Sequence, residues 1–236
     1  MEYNSRCYTH GVTGTDLREA RQTRAMTQQQ VAAKLGVSQA YVSMLESSRR
    51  LVPRHVAQRL VALLEMPATT LPVRDGKAVN GDQARRALGA LGYDAFAYLA
   101  AGRPRNPAEL LLSVLRADDV EARVVEALPW LVVRFADLDW EWLVPAAKHD
   151  DLQNRLGFVL SLGKGLAAAH GHHDAARRLA DWEHRLEKSR LQADDSFARR
   201  AMTEAEARWL RSHRSPEAAQ WNVLSSLTVQ ALAHAT

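Results

Sequence analysis

The chain of 236 residues holds a single cysteine, Cys7. No intramolecular disulfide can form, which points to a reducing compartment. No apolar run approaches the roughly 18 residues that span a bilayer, and the opening MEYNSRCYTH lacks the apolar core of a signal peptide. The expectation is a cytoplasmic protein with no membrane contact. There is no phosphate-cradling glycine loop, no paired-cysteine zinc motif and no nucleophile elbow. Strand-like alternation is missing, as is any strict repeat. Aromatic residues make up only 6% of the chain.

What is present is unevenly placed. Residues 1–72 carry nine Lys/Arg against five Asp/Glu, whereas the remainder is balanced at 22 of each, so the whole net charge of +4 sits in the first third. All six tryptophans lie in the other part. A basic N-terminal part suits a polyanion. At 47% hydrophobic and 25% charged residues the chain can bury a core.

The sequence divides into a loose arm over 1–14, a compact helical domain over 15–66, a linker over 67–82 and a helical domain over 83–236. Asp16 to Arg24 carries Leu17 and Ala20 on one side and charges on the other. Thr27 is an N-cap with Gln30 three residues on, a capping-box pattern. That helix runs to Leu35, where Gly36 terminates it. Ser38 caps the next helix, which reaches Ser47, and Pro53 opens a further one with Val56, Leu60, Val61 and Leu64 as its buried stripe. The linker PATTLPVRDGKAVNGD is rich in turn formers. Beyond it, helices are expected over 83–101, 107–117, 119–135, 139–169, 174–192, 195–212 and 216–234, with cap-like starts at Asn106-Pro107, Asp139, Asp174, Thr203 and Ser215-Pro216.

TQQQVAAKLGVSQAYVSMLE, residues 27–46, carries the chemistry. Ala32 is small where two helices must approach, Gly36 makes the corner, and Val31, Leu35, Val37, Val42 and Leu45 are spaced to pack the pair across it. With its Thr-Gln opening, Leu-Gly-Val-Ser corner and Val-Ser-x-Leu-Glu run, residues 15–66 resemble the helix-turn-helix of the lambda-repressor-like (XRE) family. Ser48 stands where that family often has glycine. The resemblance implies a five-helix lambda-repressor-like helix-turn-helix domain; with the helices read beyond the linker, the expectation is an all-α protein in which that domain is followed by an all-helical C-terminal domain. It also implies a homodimer on double-stranded DNA with a palindromic operator.

Carried onto this sequence, the resemblance places Gln28, Ser38, Gln39, Ala40, Tyr41, Ser43, Met44, Arg49 and Arg50 at the DNA. Gln39 is the candidate for direct readout, since glutamine pairs bidentately with adenine N6 and N7. Ser43 donates to a base or a phosphate. Tyr41 packs on a sugar or thymine methyl group or donates to phosphate, and Gln28 meets the backbone beside a helix N-terminus. Arg49 and Arg50 act as phosphate clamps or minor-groove probes, and Met44 either meets bases or caps the domain core.

The longer part contains LPWLVVRFADLDWEWLVPAAKHDDLQNRLGFVLSLGKGLA, residues 128–167. Trp130, Phe135, Trp140, Trp142 and Phe158 read as core of a helical array, with one or two left exposed. An XRE-type head with a helical body of this kind looks like bacterial regulators of toxin–antitoxin or phage-defence loci, some resembling antitoxins of nucleotidyltransferase toxins. That resemblance implies a transcriptional repressor whose residues 83–236 dimerise or hold a toxin. A regulator with a small-molecule effector in the helical domain is the alternative. A third reading is an enzyme, with Arg208 and His213 resembling the Arg-x4-His of HEPN-type ribonucleases. His170, His172, His173 and Asp174 carry metal-ligating chemistry, but neighbouring histidines beside a glycine suit a surface loop better. His149-Asp150 lacks the partner ligands a phosphohydrolase centre needs. The expectation is therefore no catalytic residue, no metal and no cofactor.

Overall fold

A computed structural model describes residues 11–100, 104–197 and 202–233. The expected arm lies outside these residues except for its last four, as does Cys7. The described residues are all-α, without a strand; the single backbone bridge joins Asp195 and Val223. The chain separates into two compact units, Met1–Arg74 with Arg103–Asn106, and Asp75–Gly102 with Pro107–Thr236.

The first unit contains α1 (Gly14–Thr23), α2 (Gln28–Leu35), α3 (Gln39–Glu46) and α4 (Arg54–Leu64), followed by a 3-10 turn, Ala68–Thr70. The fifth helix expected here is that short turn, which ends because Leu71, the residue before Pro72, is extended. Thr13 and Thr27 each close a full capping box, with Asp16 and Gln30. Gly36 ends α2 at φ +66° and Ser38 accepts from the Tyr41 amide. Leu17, Val31, Leu35, Val42, Leu45, Leu60 and Leu64 meet in one core. Gly14 starts α1 where α3 ends. A Cβ there would lie 2.5 Å from the Leu45 carbonyl oxygen, so only glycine lets the two helices come this close.

The segment expected as a linker is divided between the units. Leu71 is buried with the first core, and the Asn106 carboxamide donates to the carbonyls of Thr69 (3.1 Å) and Leu71 (2.5 Å). Residues 75–82 belong to the second unit, where the Val79 amide donates to the Ser113 carbonyl at 3.2 Å.

The second unit contains α5 (Gly81–Ala90), a 3-10 segment (Asp94–Leu99), α6 (Pro107–Leu115), α7 (Ala122–Arg134), α8 (Trp140–His149), α9 (Gln153–Ala169), α10 (His173–Glu187), α11 (Glu204–Ser212), α12 (Pro216–Gln220) and α13 (Val229–Ala233). Every residue of α6 is buried, and α9 packs against α7, α8, α10, α12 and α13. Leu110, Leu111, Leu112, Val114 and Leu115 put apolar side chains all round α6, with Glu109 and Ser113 buried among them, so this helix sits inside its unit. Phe135, Trp140 and Phe158 are core, while Trp130 and Trp142 are half-buried.

Several expected helices are shorter or broken. Residues 139–169 form two helices because Asp151 takes φ +57° between them and the Leu152 amide turns back to the Ala147 carbonyl. Residues 216–234 break after Gln220 because Trp221 is fully buried against Gly157 of α9, where a Cβ would fall 2.3 Å from the indole. Residues 83–101 divide at Gly92, whose φ is +95°. Of residues 195–212, those described are helical only from Glu204; of 174–192, only to Glu187. His172, not Asp174, takes the cap position of α10.

Candidate nucleic-acid interface

α3 presents two faces because its side chains repeat every 3.6 residues. Val42, Leu45 and Glu46 are buried; Ser38, Gln39, Ala40 and Met44 are exposed, with Tyr41 and Ser43 half-buried between. The expected contact residues therefore form one strip along the outer side of the helix. Met44 is 37% exposed and lies on the outer strip, outside the core.

Beneath the strip runs a chain of hydrogen bonds. The Gln39 Nε2 donates to Gln28 Oε1 at 2.6 Å, and Gln28 Nε2 donates to Glu46 Oε2 at 2.9 Å. Glu46 is buried and is held by Arg21, whose Nε and Nη2 donate to the two carboxylate oxygens at 2.6 and 2.9 Å. A third donor of Arg21 reaches the Met26 carbonyl at 2.8 Å, and Arg18 lies 3.8 Å from Glu46. Burial pushes the Glu46 carboxyl up, but the hydrogen bonds from Arg21 and Gln28 and the charges of Arg21 and Arg18 outweigh it, so its pKa falls below the ordinary value. The same pairing raises that of Arg21.

The direction of this chain follows from Glu46. An ionised carboxylate only accepts, so Gln28 must turn its NH₂ group inward and its oxygen toward Gln39. Gln39 must then offer an N–H to that oxygen. Its own Oε1 and its second N–H stay free, which is the acceptor–donor pair that an adenine edge requires. Sequence reasoning placed Gln28 and Gln39 separately at the DNA and passed over Arg21 and Glu46. The signal was a glutamate in the last turn of an otherwise apolar-faced helix.

The second part of the strip lies after α3. Ser48 holds φ +55°, the left-handed conformation for which glycine is the easier residue. That turn carries the chain into Arg49, Arg50 and Leu51, all exposed, with Leu51 88% so. The Arg50 guanidinium lies over the Tyr41 ring, 5.2 Å from its centre, so those two expected contacts form one patch.

Among the described residues no group of three or more His, Cys, Asp or Glu side chains is arranged to hold a metal ion. His213 stacks on Trp209, with ring centres 4.2 Å apart, and its Nδ1 lies 2.8 Å from the Trp209 carbonyl oxygen, while Arg208 is exposed. No helix among the described residues is long and apolar enough to cross a membrane.

Residues 14–72 match a family model described as a helix-turn-helix domain. This span, about a quarter of the chain, is a DNA-binding fold, and it includes α1 to α4 and the 3-10 turn. No curated protein and no solved structure matches the chain.

Proposed function

We propose that the chain is a sequence-specific transcriptional repressor of the XRE type, and that it binds a palindromic operator as a homodimer with α3 in the major groove. It works by binding, not by catalysis. Gln39 reads an adenine through its free Oε1 and second N–H. Gln28 orients it and meets the backbone near the start of α2. Ser38, Ala40, Tyr41, Ser43 and Met44 fill the groove around this contact, and Arg49 and Arg50 hold phosphates. The observation that carries the reading is the Gln39–Gln28–Glu46 chain, which spends buried charge on aiming one exposed carboxamide. The helical residues 83–236 pair two heads or hold a protein partner, as in the antitoxin component of a toxin–antitoxin or defence locus.

The test is selection of binding sites from a random duplex pool by the full chain and by Gln39→Ala. The proposal expects an inverted repeat with one adenine position in each half-site, lost in the variant at about 1–3 kcal/mol per site. An unchanged preference in the variant would overturn the docking of α3.

A further inference from the structure

The second unit carries a groove of about 750 Å³ that the DNA reading does not use. Its size lies within the range of small-molecule sites. Trp130, Val133 and Arg134 of α7 line one side, and His170, His172 and His173 around the α9–α10 corner line the other. The Trp130 ring packs on Tyr93, with ring centres 5.1 Å apart, and lies at right angles to Phe135, with ring centres 6.4 Å apart. It is half-buried and lines the groove.

The polar lining of the groove is Arg134, three histidines and one carboxylate. Arg134 rests over the Phe135 ring at 5.3 Å and has no carboxylate partner among the described residues. His170, His172 and His173 line the same groove, and an imidazole carries an N–H donor in either tautomer. The one lining carboxylate, Asp174, already faces Arg177 at 3.9 Å. The first turn of α10 opens here, and no side chain caps it. The imidazoles are not arranged to share a metal ion.

We infer that this groove binds a nucleotide, with the base against Trp130 and the phosphate held by Arg134, His170 and His173. An aromatic wall meets a flat ring, and an arginine beside imidazole donors meets a phosphate. This inference stands on the helical unit alone and holds whether or not the head reads DNA as proposed.

Calorimetric titration of the full chain with AMP and GMP, in the absence of DNA, tests it. The controls are adenosine, guanosine and inorganic phosphate. At least one nucleotide is expected to bind with a dissociation constant below a millimolar, and each control at least about tenfold more weakly. Arg134→Ala and His173→Ala, both at exposed positions, are expected to weaken the nucleotide about tenfold or more each. In a proton–nitrogen spectrum, the Trp130 indole signal, identified by its loss in Trp130→Phe, is expected to move on nucleotide addition. No binding at millimolar nucleotide would overturn the assignment. So would equal binding of inorganic phosphate, or binding that survives both substitutions and leaves Trp130 unmoved.

Discussion

Replacing Glu46 by glutamine keeps the shape of the side chain and removes its charge. In the native head the carboxylate is almost wholly inaccessible, at 1% exposure, and Arg21 binds both its oxygens while retaining 13%. Removing one member of a buried pair costs about 3–5 kcal/mol when the survivor is stranded. Arg21 keeps some water and the Met26 carbonyl, so we expect about 2–4 kcal/mol for the head, toward the lower part of that effect. The loss has a pH signature. A carboxyl whose folded pKa is depressed contributes stability above its unfolded value, near 4.3, and that stability is lost as pH falls through the folded value. Urea unfolding of native protein and Glu46→Gln, followed by far-ultraviolet dichroism, should show the full gap at pH 7, narrowing below about pH 4. Base selectivity should change as well. A carboxamide at position 46 can offer either end to Gln28, so Gln39 loses its fixed orientation and the adenine preference relaxes. A gap under about 0.5 kcal/mol at pH 7, or one that stays constant into acid, would refute the reasoning.

Arg49→Ala should weaken binding to all duplexes alike and flatten the slope of log affinity against log salt by about one unit; a change confined to one operator sequence would assign it to base reading. Ser48→Gly should raise the unfolding free energy of the head by up to about 1 kcal/mol, because a left-handed residue loses its Cβ conflict. A destabilised variant would show that the serine side chain contributes more than its strain. Gly157→Ala should destabilise the second unit by about 1–3 kcal/mol, since the added methyl meets the Trp221 indole. Its tryptophan emission should shift to the red if Trp221 is expelled, and native emission with native stability would contradict the packing described.

The helix-turn-helix was legible because its signals are local. Thr27 with Gln30, Gly36 and Ser38 act within one turn of themselves, and each is a cap where its chemistry requires one. Tertiary events were less visible. Trp221 leaves the helical path to fill a notch made by Gly157, 64 positions away, and Asp151 turns the chain where its own sequence allows a helix to continue. Arg155, spaced like any exposed helical arginine, instead donates to the carbonyls of Leu115 (2.7 Å) and Ala117 (3.3 Å) and pairs with Asp195. The same holds at the interface. Gln39 and Gln28 are separately plausible contacts in sequence, but their mutual bond arises only when α2 and α3 pack.

The most direct test of DNA recognition is a titration of the full chain with the duplex upstream of its own gene and with an unrelated duplex, at two salt concentrations. The account predicts a preference of about a thousandfold or more for the first, with both affinities falling as salt rises. Equally weak binding to both duplexes would contradict it, and would move the weight of the function to the helical unit.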